Sequence, residues 1–184
     1  MTATTAGEKS IARKAPIVIR RMLAPIVFLA LGAGPEIGVG ADLVPDEYRV
    51  AYAVQKFDST VAGVLAYDLP PIRFLGSLRS EVAFGTIYAN GDWAALVSGG
   101  PIWGFRDISG STVFLEFSIN PTVLSRTHFD GEDMGSHFHF TSALALGRRF
   151  GDWDVALRIQ HTSNAGLSDA NPGMDMVALA FSRR

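Results

Sequence analysis

Three polar side chains near the end of the 184-residue chain could together perform nucleophilic chemistry. His161 and Ser163 are two positions apart, and Asp175 follows in the next predicted strand. Serine beside a histidine oriented by a carboxylate transfers acyl groups, because the imidazole accepts the serine proton and the carboxylate fixes its tautomer. The turn after the serine contains Asn164 and Gly166, whose amide or backbone N–H groups could bind an oxyanion. The competing interpretation is an ordinary turn, since Ser-Asn-Ala-Gly and Asn-Pro-Gly are common loop sequences.

The alternation of apolar and polar residues predicts where these three side chains point. Eight segments alternate with period two, as strands do, and turns such as Asn90-Gly91-Asp92 separate them. Parity places His161 and Ser163 on the apolar face of one strand and Asp175 on the apolar face of the next. If this hairpin closes near Ser168, the acid lies opposite the histidine. The eight segments are 48–56, 60–69, 74–88, 93–105, 113–121, 137–146, 153–163 and 175–181.

Two kinds of barrel fit eight such strands. A strand tilted across a bilayer needs roughly 9–11 residues, and eight is the smallest common strand number of outer-membrane barrels. A soluble barrel would instead turn its apolar face inward around a ligand. The polar face mixes charges with Ala and Gly, which suits a narrow lumen, and aromatic residues cluster near segment ends as interfacial girdles do. We therefore predict an all-β, eight-stranded antiparallel transmembrane β-barrel, although the chain ends on Phe181-Ser182-Arg183-Arg184 rather than on an aromatic residue.

Residues 1–41 differ in composition from the rest and predict a secretory signal peptide. A basic stretch precedes an apolar run at 22–33, and small residues at Val39-Gly40-Ala41 fit a cleavage site. A membrane anchor or a buried helix is less favoured, because the run is short and contains Pro25. Residues 42–184 then form the barrel domain. Cleavage would change the net charge from −2 to −5, since five Lys and Arg and two Asp and Glu leave with the leader.

Composition and the remaining polar residues exclude other chemistries. The chain has no cysteine, which excludes a disulfide scaffold and a cysteine nucleophile, and its acidic balance does not favour nucleic-acid binding. His137 and His139 share one strand face without a clear third ligand, so we interpret them as luminal hydrogen-bonding groups and expect no metal and no other cofactor. Pro70-Pro71 and Asn120-Pro121 predict strand ends or bulges. A luminal charge network is expected from Arg79, Glu81, Glu116 and Arg158.

The last two strands and their turn resemble the signature of the lipid A 3-O-deacylase family, the PagL-type enzymes. The resemblance rests on 161–167 (HTSNAGL), on Asn171-Pro172-Gly173 with Asp175, and on 135–141 (GSHFHFT). It implies an eight-stranded outer-membrane barrel whose outward-facing Ser-His-acid triad hydrolyses the ester-linked acyl chain at the 3 position of lipid A. By motif position His161 is the base, Ser163 the nucleophile and Asn164 a proposed oxyanion donor. The acid, often Glu in the family, is Asp here and reaches about 1.5 Å less far.

This resemblance also implies the partners of the chain. They are lipid A or lipopolysaccharide as the substrate and the outer-membrane lipid of a Gram-negative bacterium around the barrel, with a homodimer left open. While the ester reaches Ser163, the acyl chain can lie along Leu157, Ile159, Val177 and Leu179. Two alternatives remain at this point. One is a non-enzymatic outer-membrane barrel with a structural or adhesive role, and the other is a soluble periplasmic barrel that binds lipid.

Overall fold

The computed structural model describes residues 44–54, 57, 59–72 and 78–183, so the predicted signal peptide lies outside the described residues. In these ranges, ten strands alternate with turns and loops, and a short 3₁₀ turn at Ile108–Gly110 lies between the fourth and the fifth. Within the described ranges, no helix is both long and apolar enough to cross a membrane. The strands are β1 (Glu47–Ala53), β2 (Thr60–Ile72), β3 (Leu78–Ala89), β4 (Asp92–Phe105), β5 (Val113–Leu124), β6 (His128–Phe129), β7 (Glu132–Asp133), β8 (Phe138–Phe150), β9 (Trp153–Ser163) and β10 (Met174–Arg183).

Eight of these strands close into an antiparallel barrel in the order β1-β10-β9-β8-β5-β4-β3-β2. The two short strands β6 and β7 form a separate hairpin within the loop 125–137. Loops 90–91, 125–137 and 164–173 lie at one end of the barrel, which we call the loop end. The turn 151–152 lies at the opposite end, which we call the turn end. The predicted eight-stranded antiparallel barrel is confirmed.

The barrel turns most of its large apolar side chains outward and its small or polar side chains inward. On β9, Leu157 and Ile159 are 54% and 53% exposed, whereas Ala156 and Arg158 are 6% and 5% exposed. A membrane-spanning barrel has this orientation, because its exterior contacts lipid. A soluble lipid-binding barrel needs its apolar face inside, so that alternative is wrong. The outward-facing aromatic residues include Phe84, Trp93, Trp103, Phe105, Phe117, Phe138, Phe150, Trp153 and Phe181.

The lumen is filled by different side chains at its two ends. Toward the turn end, Arg49 forms a buried ion pair with Glu81, and Arg79 and Arg106 both bind Glu116, at 2.7 and 2.6 Å. Buried ions are stable only when they are paired. Arg79, Glu81 and Glu116 of the predicted luminal network form these pairs, whereas the fourth member, Arg158, is buried and donates to Ser118 Oγ at 3.1 Å. Toward the loop end an apolar cluster fills the lumen instead. Its largest fully buried side chains are Phe57, Ile87, Leu124, Phe129, Met134 and Met174.

The end of β5 differs from the sequence-based expectation. β5 does not end at Asn120-Pro121 but continues to Leu124. The pairing of β4 with β5 is interrupted at 99–101 and 119–121 and then resumes in the same register. Proline has no N–H to donate, so the ladder can skip this position without ending the strand. Pro70-Pro71 does coincide with the expected irregularity, a register shift between β2 and β3.

Candidate active site

The register of the last hairpin brings His161 and Asp175 together. These two residues are directly across from each other on β9 and β10, and His161 Nδ1 lies 2.8 Å from Asp175 Oδ1. An ionised carboxylate can only accept, so Nδ1 donates the hydrogen bond, and in the neutral imidazole Nε2 then carries the lone pair. The side chains are 49% and 45% exposed on the outside of the barrel. The predicted pairing across the hairpin is therefore present, and it leaves the far nitrogen of the imidazole free to act as a base.

Ser163 lies two residues beyond the histidine on the same outward face of β9. Its hydroxyl makes no hydrogen bond with any residue that the structure describes. On the other neighbouring strand, β8, Phe140 pairs with Ser163 and Ser142 pairs with His161. Cross-strand pairs point to the same face of a sheet. The imidazole therefore has Asp175 on one neighbouring strand and a second serine on the other.

Gly173 lies immediately before β10, and its backbone lies against the imidazole of His161. A Cβ built on this glycine would lie 2.6 Å from Cε1 of the ring and 3.3 Å from Nε2. The glycine has a φ of +64°, in the left-handed region that glycine adopts without steric cost. Its backbone therefore approaches the ring more closely than any other residue type would allow.

Asn164 follows the candidate nucleophile and is fully buried. Its Nδ2 donates to the carbonyls of Met134 and Ala170, at 3.0 and 2.7 Å. Its Oδ1 accepts from the N–H of Gly166 at 2.9 Å, and its own N–H donates to Asn171 Oδ1. Both side-chain donors of Asn164 and the N–H of Gly166 are thus used within the loops. Oxyanion binding by these two residues stays a prediction, while their hydrogen bonds give them a role in fixing loop 164–173.

Loop 125–137 packs directly against loop 164–173. Ser168 Oγ donates to the carbonyl of Gly135 at 3.0 Å, beside the bond from Asn164 to Met134. Gly135 has a φ of +78°, and a Cβ there would collide with the carbonyl oxygen of Ala170. The loop that follows the candidate nucleophile is therefore supported by a loop that precedes β8.

The other histidines form no second site. His139 is buried, and its Nε2 contacts the carbonyl of Ser136 at 2.6 Å, as expected for a luminal hydrogen-bonding group. His137 differs from the expectation, because it is exposed, precedes β8 and contacts the carbonyl of Leu124 through Nδ1. The strand begins one residue later than predicted, so the alternation does not extend to this histidine. Among the described residues, no three His, Asp or Glu side chains are grouped to hold a metal ion.

The sequence motifs contain Gly135 and Gly173, but they predict no role for these two glycines. A glycine after Asn-Pro is a recognisable turn signal. Its contact with an imidazole depends on the register of β9 with β10, and the contact of Gly135 with Ala170 depends on the path of a long loop. The contact of Gly173 could have been found by extending the predicted pairing of Asp175 with His161 by two more residues. The second has no signal in the alternation.

Comparisons with known proteins agree with the barrel fold and show the family. The family model for lipid A 3-O-deacylase (PagL) matches residues 65–184. A curated relative, the lipid A deacylase PagL of Bordetella bronchiseptica, is 37% identical over 78 residues, which are 42% of this chain and less than half, 44%, of that protein. The solved structure titled "Crystal structure of the outer membrane enzyme PagL" aligns with a TM-score of 0.57 at 20% identity, over 73% of this chain and 97% of that one. The chain belongs to the lipid A 3-O-deacylase (PagL) family.

Proposed function

We propose that this protein is an outer-membrane ester hydrolase that removes the acyl chain at the 3 position of lipid A. The observation that carries the proposal is the outward-facing contact of His161 with Asp175 at 2.8 Å, with Ser163 on the same face of β9. A polar group on the lipid face of a barrel is costly unless it has a function or lies near the interface. The family model supports the choice of substrate, since it is the one for lipid A 3-O-deacylases.

In the first step, the Oγ of Ser163 attacks the carbonyl carbon of the ester, and Nε2 of His161 accepts the hydroxyl proton. Asp175 holds Nδ1–H and stabilises the imidazolium that forms. The tetrahedral intermediate then collapses, the bond to the sugar oxygen breaks, and the imidazolium returns its proton to that oxygen. The acyl group remains on Ser163 as an ester. We assign binding of the transient oxyanion to loop 164–173, which Asn164 and Gly166 fix through their hydrogen bonds.

In the second step, water attacks the acyl ester, and Nε2 of His161 accepts a proton from that water. The intermediate collapses again and releases the free hydroxy fatty acid, while the proton returns to Ser163 Oγ. No redox change and no co-reactant other than water is involved. The chemistry therefore needs only the three side chains and the oxyanion donors.

The position of the site suits a substrate that is itself a membrane lipid. Lipid A anchored in the surrounding leaflet can reach Ser163 by lateral diffusion, without entering the lumen. Its acyl chain would lie against the exposed side chains of Leu157 and Ile159 on β9 and of Val177 and Leu179 on β10. Because lipid is already apolar, such contacts gain little from the hydrophobic effect and act through packing. This packing would favour chains whose ester carbonyl lies at the height of the triad.

The test is the release of one hydroxyacyl group from lipid A. The purified barrel is incubated in detergent micelles with lipid A, and the products are analysed by mass spectrometry. We expect release by the wild type and its loss in Ser163→Ala and His161→Ala. Ser142→Ala is the matched control, because it removes one hydroxyl from the same outer face, directly across from His161 on β8. This variant should keep activity within about threefold of the wild type, which corresponds to a change in the barrier of less than about 1 kcal/mol.

Different results would lead to different conclusions. Equal release by wild type, Ser163→Ala and His161→Ala would refute the proposed triad. Loss of acyl release in Ser142→Ala, with release retained in Ser163→Ala, would show that the nucleophile is Ser142 on β8. No release by the wild type, with a folded barrel on a heat-modifiability gel, would favour the non-enzymatic outer-membrane barrel with a structural or adhesive role.

A further inference from the structure

We propose that Gly173 is a positioning residue for His161, and that the lack of a side chain at this position lets the imidazole face Asp175 and Ser163 together. The inference rests on the proposed esterolysis and deepens it. It concerns a residue that touches the base rather than the substrate. Its effect would therefore be transmitted through the position of the ring.

The distances around Gly173 carry this proposal. A Cβ there would lie 2.6 Å from Cε1 of His161, 3.3 Å from Nε2 and 3.6 Å from Nδ1, although real Cβ atoms essentially never approach within 3.0 Å. Cε1 is the ring carbon between the two nitrogens. A side chain at 173 would push on the ring edge that carries both of them. Because Asp175 holds Nδ1 at 2.8 Å, a displaced ring would lose this hydrogen bond and would change its position relative to Ser163.

The register of the hairpin explains why this position is special. Met174 pairs with Thr162 and Asp175 with His161, and one further step in this register places residue 173 across from residue 163. Gly173 is thus beside the candidate nucleophile and diagonal to the base. The space that a Cβ of residue 173 would fill is occupied by the imidazole of His161, which lies against the backbone of this glycine.

The backbone conformation offers a competing reason for glycine, and two variants separate the reasons. Gly173 has a φ of +64°, which strains any residue with a Cβ. Asparagine tolerates this region better than alanine, but both add a Cβ. Gly151 in the β8–β9 turn has a similar φ of +59° with nothing within 4 Å of a Cβ. Gly151→Ala therefore imposes the backbone strain without a contact to the ring.

The first measurement is the initial rate of hydroxyacyl release over a range of lipid A concentrations. A misplacement of about 1 Å can lower a rate by about 100-fold. We therefore expect both Gly173→Ala and Gly173→Asn to lose at least roughly 10-fold in kcat, with KM changed by less than about threefold. Gly151→Ala should keep the wild-type kcat. Near-normal activity of Gly173→Asn, or an equal loss in Gly151→Ala, would show that backbone strain alone matters and would overturn the proposal.

The second measurement does not depend on activity. The midpoint of thermal unfolding, followed on heat-modifiability gels, is compared for Gly173→Ala in the wild-type background and in a His161→Ala background. Removing the ring removes the clash, so the added methyl group should lower the midpoint less in the second background. An equal shift in both backgrounds would overturn the contact between Gly173 and the ring. An inactive wild type with unequal shifts would refute the esterolysis but leave this contact standing.

Discussion

The charge of Asp175 should accelerate acyl transfer without being needed for folding. Asp175→Asn keeps the size of the side chain, and its amide oxygen can still accept from His161 Nδ1, but the negative charge that stabilises the imidazolium is lost. A hydrogen bond to a charged group contributes about 1.5–3 kcal/mol. Each 1.36 kcal/mol corresponds to a factor of ten in rate. The expected loss in kcat is therefore roughly 10- to 150-fold.

Exposure decides where in this range the loss should fall. In serine proteases with a buried triad, replacing the aspartate by asparagine costs about 10⁴-fold. Here the side chains of His161 and Asp175 are 49% and 45% exposed. Solvent and lipid head groups weaken the attraction between exposed charges. We therefore expect the lower half of the range, near 10- to 50-fold, which is a much smaller loss than Ser163→Ala should cause.

Initial rates of hydroxyacyl release, measured as a function of lipid A concentration, separate kcat from KM for each variant. Asp175→Glu retains the charge and lengthens the side chain by about 1.5 Å, so it should lose less activity than Asp175→Asn. Asp169→Asn is the matched control, because it removes the same charge from an exposed position in the neighbouring loop 164–173. A kcat of Asp175→Asn within twofold of the wild type, or an equal loss in Asp169→Asn, would contradict the proposed role of this charge.

The remaining predictions concern the support of the site and of the lumen. Gly135→Ala should lower activity but leave the barrel folded, since its Cβ collides with Ala170 in the loop rather than with a strand; rates and heat-modifiability gels measure the two effects. Asn164→Ala removes three hydrogen bonds of about 0.5–1.5 kcal/mol each. Limited proteolysis should therefore cut loop 164–173 faster in this variant than in the wild type. Unchanged cleavage would contradict the role of Asn164 in fixing the loop. Glu81→Ala leaves Arg49 without one buried partner and should lower the free energy of unfolding by about 3 kcal/mol. The midpoint of thermal unfolding should fall, while the folded fraction keeps normal activity.

Much of the barrel and of the triad geometry follows from the period-two alternation. Parity alone places His161, Ser163 and Asp175 on the apolar face, and symmetric closure near Ser168 predicts the observed pairing of the acid with the base. A strand has only two faces, so a single well-defined apolar set fixes every other residue of that strand. The mixture of charged and small residues on the polar face favours the membrane barrel over the soluble one. The outward orientation of the large apolar side chains in the structure decides between them.

Contacts made by loops could not be predicted in the same way. The direction of the Asn164 amide depends on where the carbonyls of Met134 and Ala170 lie, and these belong to two different loops. Alternation ends where a strand ends, so it says nothing about these distances. His137 shows the same limit, since it precedes β8 by one residue and is exposed. Loop geometry is set by hydrogen bonds between distant parts of the chain, which local patterns do not encode.

The filled lumen explains why catalysis would have to occur on the exterior of this barrel. Paired ions occupy the inside toward the turn end, and Phe57, Phe129 and Met134 close it at the loop end. An acyl chain cannot enter without displacing these groups, whereas the outer faces of β9 and β10 already contact lipid. On β9 and β10, the inward-facing residues would thereby stabilise the barrel, and the outward-facing residues would take part in catalysis. Substitutions at inward positions such as Arg158 should change unfolding more than turnover, and substitutions at outward positions such as Ile159 should change turnover more than unfolding.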